Sequence, residues 1–397
     1  MEMITHPTKE CLWDNTCRHN TFQTIIGDHM NKKDLEFLKN LAEAPSPSGF
    51  EIPAARIMRA RLEGVADSIE TNVMGSVHAT LLGTAADTPQ SAAPRVMIAG
   101  HLDEIGMMVK YISDDGFISF SPIGGVDAAI LPGMRVNVYA TGESGSKSDP
   151  EMLRGIMGRK PIHLIEQDER KSVTPNDKLF IDVGLDGKEA KKRIRIGDAI
   201  TYGVGFEEFG EGYAVSRAFD DKIGVWIAVR VFEEVKKAGR ARSTVVAAGT
   251  TQEEIGLRGG TTSAYTIDPF IGISVEVGHA TDYPDIDKRK HGEAVCGKGP
   301  IIARGPNINP VLFERLIDAA KKTKTSYQIG PEARATGTDA NPIQISRGGK
   351  VAGLISIPLR YMHTPTEVLK LSDLDATVKI LTRFILDLDE KVDFIPR

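Results

Sequence analysis

The 397-residue chain has 41% hydrophobic and 26% charged residues and a net charge of −5, the make-up of a globular protein long enough for two domains or one interrupted domain. No basic stripe marks a nucleic-acid surface, and no apolar run nears the ~20 residues that span a bilayer, so neither partner is expected. Three cysteines make no disulfide framework, no apolar leader is expected at the N-terminus, and a reducing cytoplasm is the expected location.

Residues 1–30 show neither helical nor strand period and are expected to form a disordered N-terminal extension, its Cys11 and Cys17 read as unpaired thiols. Helical spacing begins in NKKDLEFLKNLAEA, where Leu35, Leu38, Leu41 and Ala42 share a face. The turn PSPSGFE leads to a second helix ending near Leu62, and RVMIAG (95–100) reads as a buried strand. From Pro122 to Gly212 the texture changes to frequent glycines and short β-branched runs, MRVNVYA, KLFIDVG and RIRIGDAITYG, broken by the polar TGESGSKSDPE. This reads as a small β-rich domain, 122–212, inserted into a larger one made of 31–121 and 213–397. A helix from Asp220 to about Lys237 follows, then strands STVVAAG and PFIGISVEV, helix VLFERLIDAAKKT, strand VAGLISIPLRY and a last helix capped by Ser372. Alternating strands and helices predict an α/β fold with helices on both faces of a mostly parallel central sheet.

In such sheets ligands bind at the carboxyl ends of strands, and those ends carry a consistent set. RVMIAG runs into His101, STVVAAGTTQ into Glu253 and Glu254, and ISIPLRYM into His363; PFIGISVEV carries Glu276, and Asp220 opens the helix after the insert. Singly, each has a plainer reading: a satisfied polar histidine, a helix cap at Asp220, an ion pair at Glu276. Together, two imidazoles and three acids form a mixed N/O donor set suited to Zn²⁺, Co²⁺ or Mn²⁺. Four carboxylates gathered without cations would repel one another, whereas two divalent ions offset them. One glutamate of the adjacent pair then ligates and the other stays free as a base. Neighbouring side chains of an extended segment point apart, so the chain is expected to bend after this strand. Asp103, two residues beyond His101, is the candidate for orienting that imidazole. His279 could be a ligand by type and Asp339 could line the site, but each has a plainer reading, Asp339's as a turn residue. Asp221 is expected to face solvent or the helix N-terminus, and Arg360 to pair with an acid.

These residues lie in SPSGFE, AGHLDEIG, AFDDKIG, QEEIGLRGG, GHATDYP, GTDANPIQISRGG and PLRYMHTPTEV. The ordered set resembles the TET-type dinuclear metal aminopeptidases, a family that includes glutamyl aminopeptidases and members labelled cellulase or endoglucanase. The resemblance implies two divalent ions per subunit, zinc before cobalt or manganese. His101, Asp220 and Glu276 would hold one ion, and Asp220, Glu254 and His363 the other. Glu253 would be the general base and Asp103 the orienter of His101. It further implies that 31–121 and 213–397 form the catalytic domain and 122–212 a dimerisation domain. Homo-oligomers, up to a dodecamer, and peptide substrates with a free N-terminus are the partners implied. Glu276 departs from the family pattern, which usually has Asp there. Three rival readings remain. A glycan hydrolase needs two carboxyls ~5–9.5 Å apart and no metal, and leaves His101 and His363 without a role. A related dinuclear deacylase or carboxypeptidase differs in the substrate end it takes. A non-catalytic scaffold would have lost a site residue.

Overall fold

The computed structural model describes residues 30–85, 94–142, 150–167, 169–388 and 393–397. The expected N-terminal extension, with Cys11 and Cys17, lies outside the described residues apart from Met30. In chain order, α1 (Lys32–Glu43), α2 (Ile52–Leu62), β1 (Ser68–Thr71), β2 (Val77–Leu81) and β3 (Val96–His101) come first. Next are β4 (Gly106–Ile112), β5 (Ile118–Ile123), β6 (Arg135–Ala140), β7 (Glu151–Gly158), β8 (Phe180–Asp182), α3 (Gly187–Arg193) and β9 (Ala199–Tyr202). Then follow β10 (Glu207–Phe209), β11 (Tyr213–Ser216), α4 (Phe219–Lys237), β12 (Val245–Thr250), α5 (Arg258–Ile267), β13 (Ile271–His279) and α6 (Lys288–His291). The chain ends with β14 (Ile301–Arg304), α7 (Pro310–Thr323), β15 (Gln328–Pro331), α8 (Ala340–Ile345), β16 (Val351–Leu359), β17 (Glu367–Lys370) and α9 (Leu371–Leu386).

An eight-stranded sheet in the order β1-β2-β12-β3-β13-β16-β14-β15 forms the centre. Its four middle strands, β12, β3, β13 and β16, are all parallel, and antiparallel pairing is confined to the flanks. The middle strands are runs of Val, Ile, Ala and Gly buried on both faces, as a parallel sheet between helices requires. Alternation sends Val96 and Ile98 into the core with α1, α2, α4, α7 and α9, and Met97 and Ala99 into a second core with Ala264 of α5 and Ile343 of α8. The helices therefore cover both faces.

Helix α4 is apolar almost all round and lies buried against β3 and β13. Its Trp226 indole donates to the Asp34 carbonyl at 2.9 Å, and truncating this residue to Ala is expected to cost ~3–5 kcal/mol. Backbones touch where α4 crosses the end of β3. A Cβ on Gly100 would stand 2.3 Å from the carbonyl carbon of Gly224, so only glycines allow the approach that seats the start of α4 beside His101.

The six strands β4-β5-β8-β7-β6-β9 close into a barrel with its own core, including Val109, Phe120, Val138, Ile181 and Ile200. The barrel starts at Gly106, ahead of the compositional boundary at 122. Met107, Val109, Ile118 and Phe120 are as apolar as core-strand residues, so the change of texture comes one hairpin later than the change of topology. A third, small antiparallel sheet, β10-β11-β17, carries the segment before α4 and the one before α9. Helix α9 begins at Leu371 with Lys370 at its N-cap, so Ser372 is not the cap. Asp373 in its first turn accepts instead from the N–H groups of Gly297 and Gly299. Among the described residues no helix is long and apolar enough to cross a membrane.

Candidate active site

The carboxyl ends of β12, β3, β13 and β16 stand side by side, and the expected residues converge there. His101 is the last residue of β3, Glu276 lies near the end of β13, Glu253 and Glu254 follow β12, and His363 follows β16. Asp220 enters from the start of α4, where the backbone is not yet helical at Asp220 (φ −78, ψ 103) or Asp221 (φ −124, ψ 39). The Asp220–Asp221 peptide bond is cis.

Two triads result, His101–Asp220–Glu276 and Asp220–Glu254–His363, each with one N or O atom per residue within 4.8 Å of the others. Asp220 belongs to both. Its Oδ1 lies 3.1 Å from His101 Nε2 and its Oδ2 lies 3.2 Å from His363 Nε2. Glu276 Oε2 is 3.7 Å from His101 Nε2, and Glu254 Oε2 is 3.4 Å from His363 Nε2. The extra methylene of Glu276 therefore still brings an oxygen to the cluster. Glu253 stands outside both triads, its Oε2 3.8 Å from His101 Nε2. The expected bend after β12 is present at Gln252, whose φ of +56 turns the chain so that adjacent glutamates face one centre.

Asp103 has a broader job than its spacing suggests. The Nδ1 of His101 lies 3.0 Å from Asp103's own main-chain carbonyl and 3.5 Å from its carboxylate. That carboxylate accepts the N–H of Glu253 at 3.0 Å, the N–H of Glu254 at 3.1 Å and the Ser48 hydroxyl at 2.6 Å. Asp103 thus fixes the bend that presents the two glutamates as well as the imidazole. Asp221 does not face solvent. It is fully buried and accepts from the N–H groups of His101 and Gly224, the latter in the first turn of α4. Asp339 is also fully buried and accepts the Thr250 hydroxyl at 2.6 Å, bracing the end of β12. Arg360 pairs with Asp282 at 2.7 and 2.8 Å. His279 is exposed and belongs to neither triad.

Four supporting residues escaped sequence reasoning. Glu104 binds Arg217 and Lys222 in the interior, while Arg217 also donates to the Glu43 carbonyl and Lys222 to that of Ala44. This buried ion cluster pins the SRAFDDK segment that delivers Asp220. Glu367, 2% exposed, accepts from Asp220 and His363. The only sequence signal was position: an acid directly after Asp103, two cations flanking Asp220, and a Glu four residues beyond His363.

The electrostatics follow from burial of many acids around few bases. Burial pushes Glu253 up to about 7, with His101 opposing and Asp339 adding. Burial and then Asp220 push Glu254 up to about 8. Burial and Asp221 hold Glu276 well above the carboxylate range. Asp220 stays well below that range despite burial, because both imidazoles hydrogen-bond to it. His363 rises to about 9 through Asp220. For His101, burial works downward, but Glu253, Asp103 and Asp220 together raise it well above its ordinary value. Four carboxyls share two imidazoles, and Glu254 Oε1 is buried with no hydrogen-bond partner among the described residues. A deficit of positive charge, an orphaned oxygen and an N/O donor set fit divalent cations.

The α/β sheet and its paired triads fit a metal-dependent hydrolase. Comparison with known proteins narrows the class. The model for the M42 glutamyl aminopeptidases matches residues 83–380. Lysyl aminopeptidase of Pyrococcus furiosus is 33% identical over 369 residues, 91% of this chain and 99% of its own. A TET aminopeptidase from a thaumarchaeon of marine sediment superposes with a TM-score of 0.82 at 32% identity, covering 90% of this chain and 97% of its own. The TET1 peptidase of Pyrococcus horikoshii, described as assembling into a tetrahedron or a large octahedral shell, gives 0.75 at 28%, covering 89% and 100%. The chain belongs to the M42 glutamyl aminopeptidase family. It is a metal-dependent aminopeptidase.

Proposed function

We propose that this aminopeptidase holds two divalent ions, zinc by preference, and removes the N-terminal residue from peptides. His101, Asp220 and Glu276 would hold one ion and Asp220, Glu254 and His363 the other. When bound, the pair would supply Lewis-acid polarisation of the scissile carbonyl and a water of lowered pKa. Glu253, buried beside the two triads with its Oε2 3.8 Å from His101 Nε2, accepts a proton from the attacking water and passes it to the departing amine. Asp103 holds the main chain of Glu253 and the His101 imidazole, and so orients base and ligand together.

The observation that carries this reading is Asp220, which turns one oxygen to each imidazole while Glu253 stays outside both triads. A glycosidase needs no such imidazole pair. The test is to chelate the protein, refill it with Zn²⁺, Co²⁺ or Mn²⁺, and assay aminoacyl-anilides with free and acetylated N-termini. Activity that returns with metal and requires a free amine supports the reading. Cleavage of the blocked substrate would indicate a deacylase, and chelator-resistant cleavage of a glucan a glycosidase.

The described barrel would serve as the dimerisation domain and the sheet as the catalytic domain, within a homo-oligomer extending to a dodecamer. The tetrahedral assembly of the Pyrococcus horikoshii relative supports this. A cytoplasmic location is supported by sparse cysteine and by Cys296, which is buried as a free thiol.

A further inference from the structure

We propose that Glu367 is the positioning residue for the pocket formed by Asp220, Glu254 and His363, acting on its ligands through their main chains. The proposal rests on reading the two triads as metal pockets. The pairing of β11 with β17 sets Glu367 opposite Ser216, which leads through Arg217 to Asp220. From there one carboxyl reaches two ligand segments. Its Oε1 accepts the N–H of His363 at 2.9 Å and its Oε2 accepts the N–H of Asp220 at 3.1 Å.

Both segments need holding. Ala218, before Asp220, has φ +60, and His363 itself has φ +61, the left-handed region that a residue with a Cβ occupies only when its surroundings insist. Arg360 and Val368 exchange main-chain hydrogen bonds of 2.9 and 3.0 Å and close the loop around His363, but they leave its own N–H to Glu367. The other pocket has separate supports. His101 ends a sheet strand, its N–H goes to Asp221, and Glu276 lies within β13. Loss of the Glu367 grip should therefore disturb the His363 pocket, where it holds two ligand segments, more than the other, which it reaches only through the shared Asp220.

The test is a Co²⁺ titration of the chelated full-length chain, followed by visible absorption and calorimetry, on wild type and on Glu367→Gln, Glu367→Asp, His101→Ala and His363→Ala. Gln keeps one acceptor oxygen and turns an amide N–H₂ toward the second N–H; Asp keeps the charge but shortens the reach. Wild type should bind two ions. Both Glu367 variants should weaken, by 10–100-fold, the scale of outer ligand supports, the binding event that His363→Ala abolishes. They should weaken several-fold less the event that His101→Ala abolishes, which Glu367 reaches only through Asp220. Equal weakening of both events, no weakening of either, or failure of both Glu367 variants to fold would overturn the proposal. Wild type binding fewer than two ions would instead overturn the reading on which it rests.

Discussion

The two halves of the centre share Asp220 and are otherwise built differently. The half with His101 and Glu276 is set in sheet strands, with side chains 1% and 4% exposed. The half with Glu254 and His363 is set in bent loops, and the His363 side chain is 36% exposed. One half is part of the core and inherits its rigidity. The other is open to solvent at His363, and its geometry depends on hydrogen bonds that main-chain N–H groups donate to carboxyls such as Asp103 and Glu367. A buried site secured by packing and an open one secured by capping should respond to different changes.

The largest effect is expected where the halves meet. Asp220→Ala should remove both ions and all measurable turnover, read by metal analysis and a peptide assay, because each imidazole loses its shared partner. Retention of one ion would mean that the halves are independent. Next, Glu253→Gln should lower kcat by ~10²–10⁴-fold while metal content stays unchanged, since Glu253 lies in neither triad. Wild-type turnover in this variant would remove its role as base.

Metal removal should couple stability to pH. Without ions the folded protein keeps protons on Glu253 up to about 7 and on Glu254 up to about 8, while the unfolded chain releases them near 4.5. The folded state then binds more protons across that window, so the stability these groups give is lost as pH rises through it. His363, raised to about 9, adds loss in the same direction at higher pH. The melting temperature of chelated protein should therefore fall from about pH 5 to 8, and the gap to loaded protein should widen. A gap that narrows with pH would contradict this. Smaller again is Gly125→Ala, whose Cβ would stand 2.8 Å from His363 Nδ1; about a tenfold loss of affinity is expected, confined to the open half. Smallest is Glu276→Asp, which shortens the side chain by one methylene and should change affinity in the buried half by less than about tenfold, by the same metal titration.

The sheet and the ligand set were readable because each middle strand spends its apolar residues first and presents its polar residue at the carboxyl end, as at His101 and Glu254. The barrel's start was misplaced because Met107 and Val109 look like any buried strand, and only pairing with β5 and β9 assigns them. The supports were hidden for a different reason. Glu104, Glu367 and Asp221 act on main-chain N–H groups or on distant cations, and neither leaves a spacing rule in the sequence. Asp221 in particular reads as an acid facing solvent or the helix N-terminus; the second holds through Gly224, and only folding adds His101, 120 positions away.

Anomalous diffraction at the zinc edge from metal-loaded crystals tests the shared centre most directly. Two peaks are expected, one beside His101 and Glu276 and one beside Glu254 and His363, with an oxygen of Asp220 bonded to each. A single peak, or two peaks of which one lacks Asp220, would contradict it.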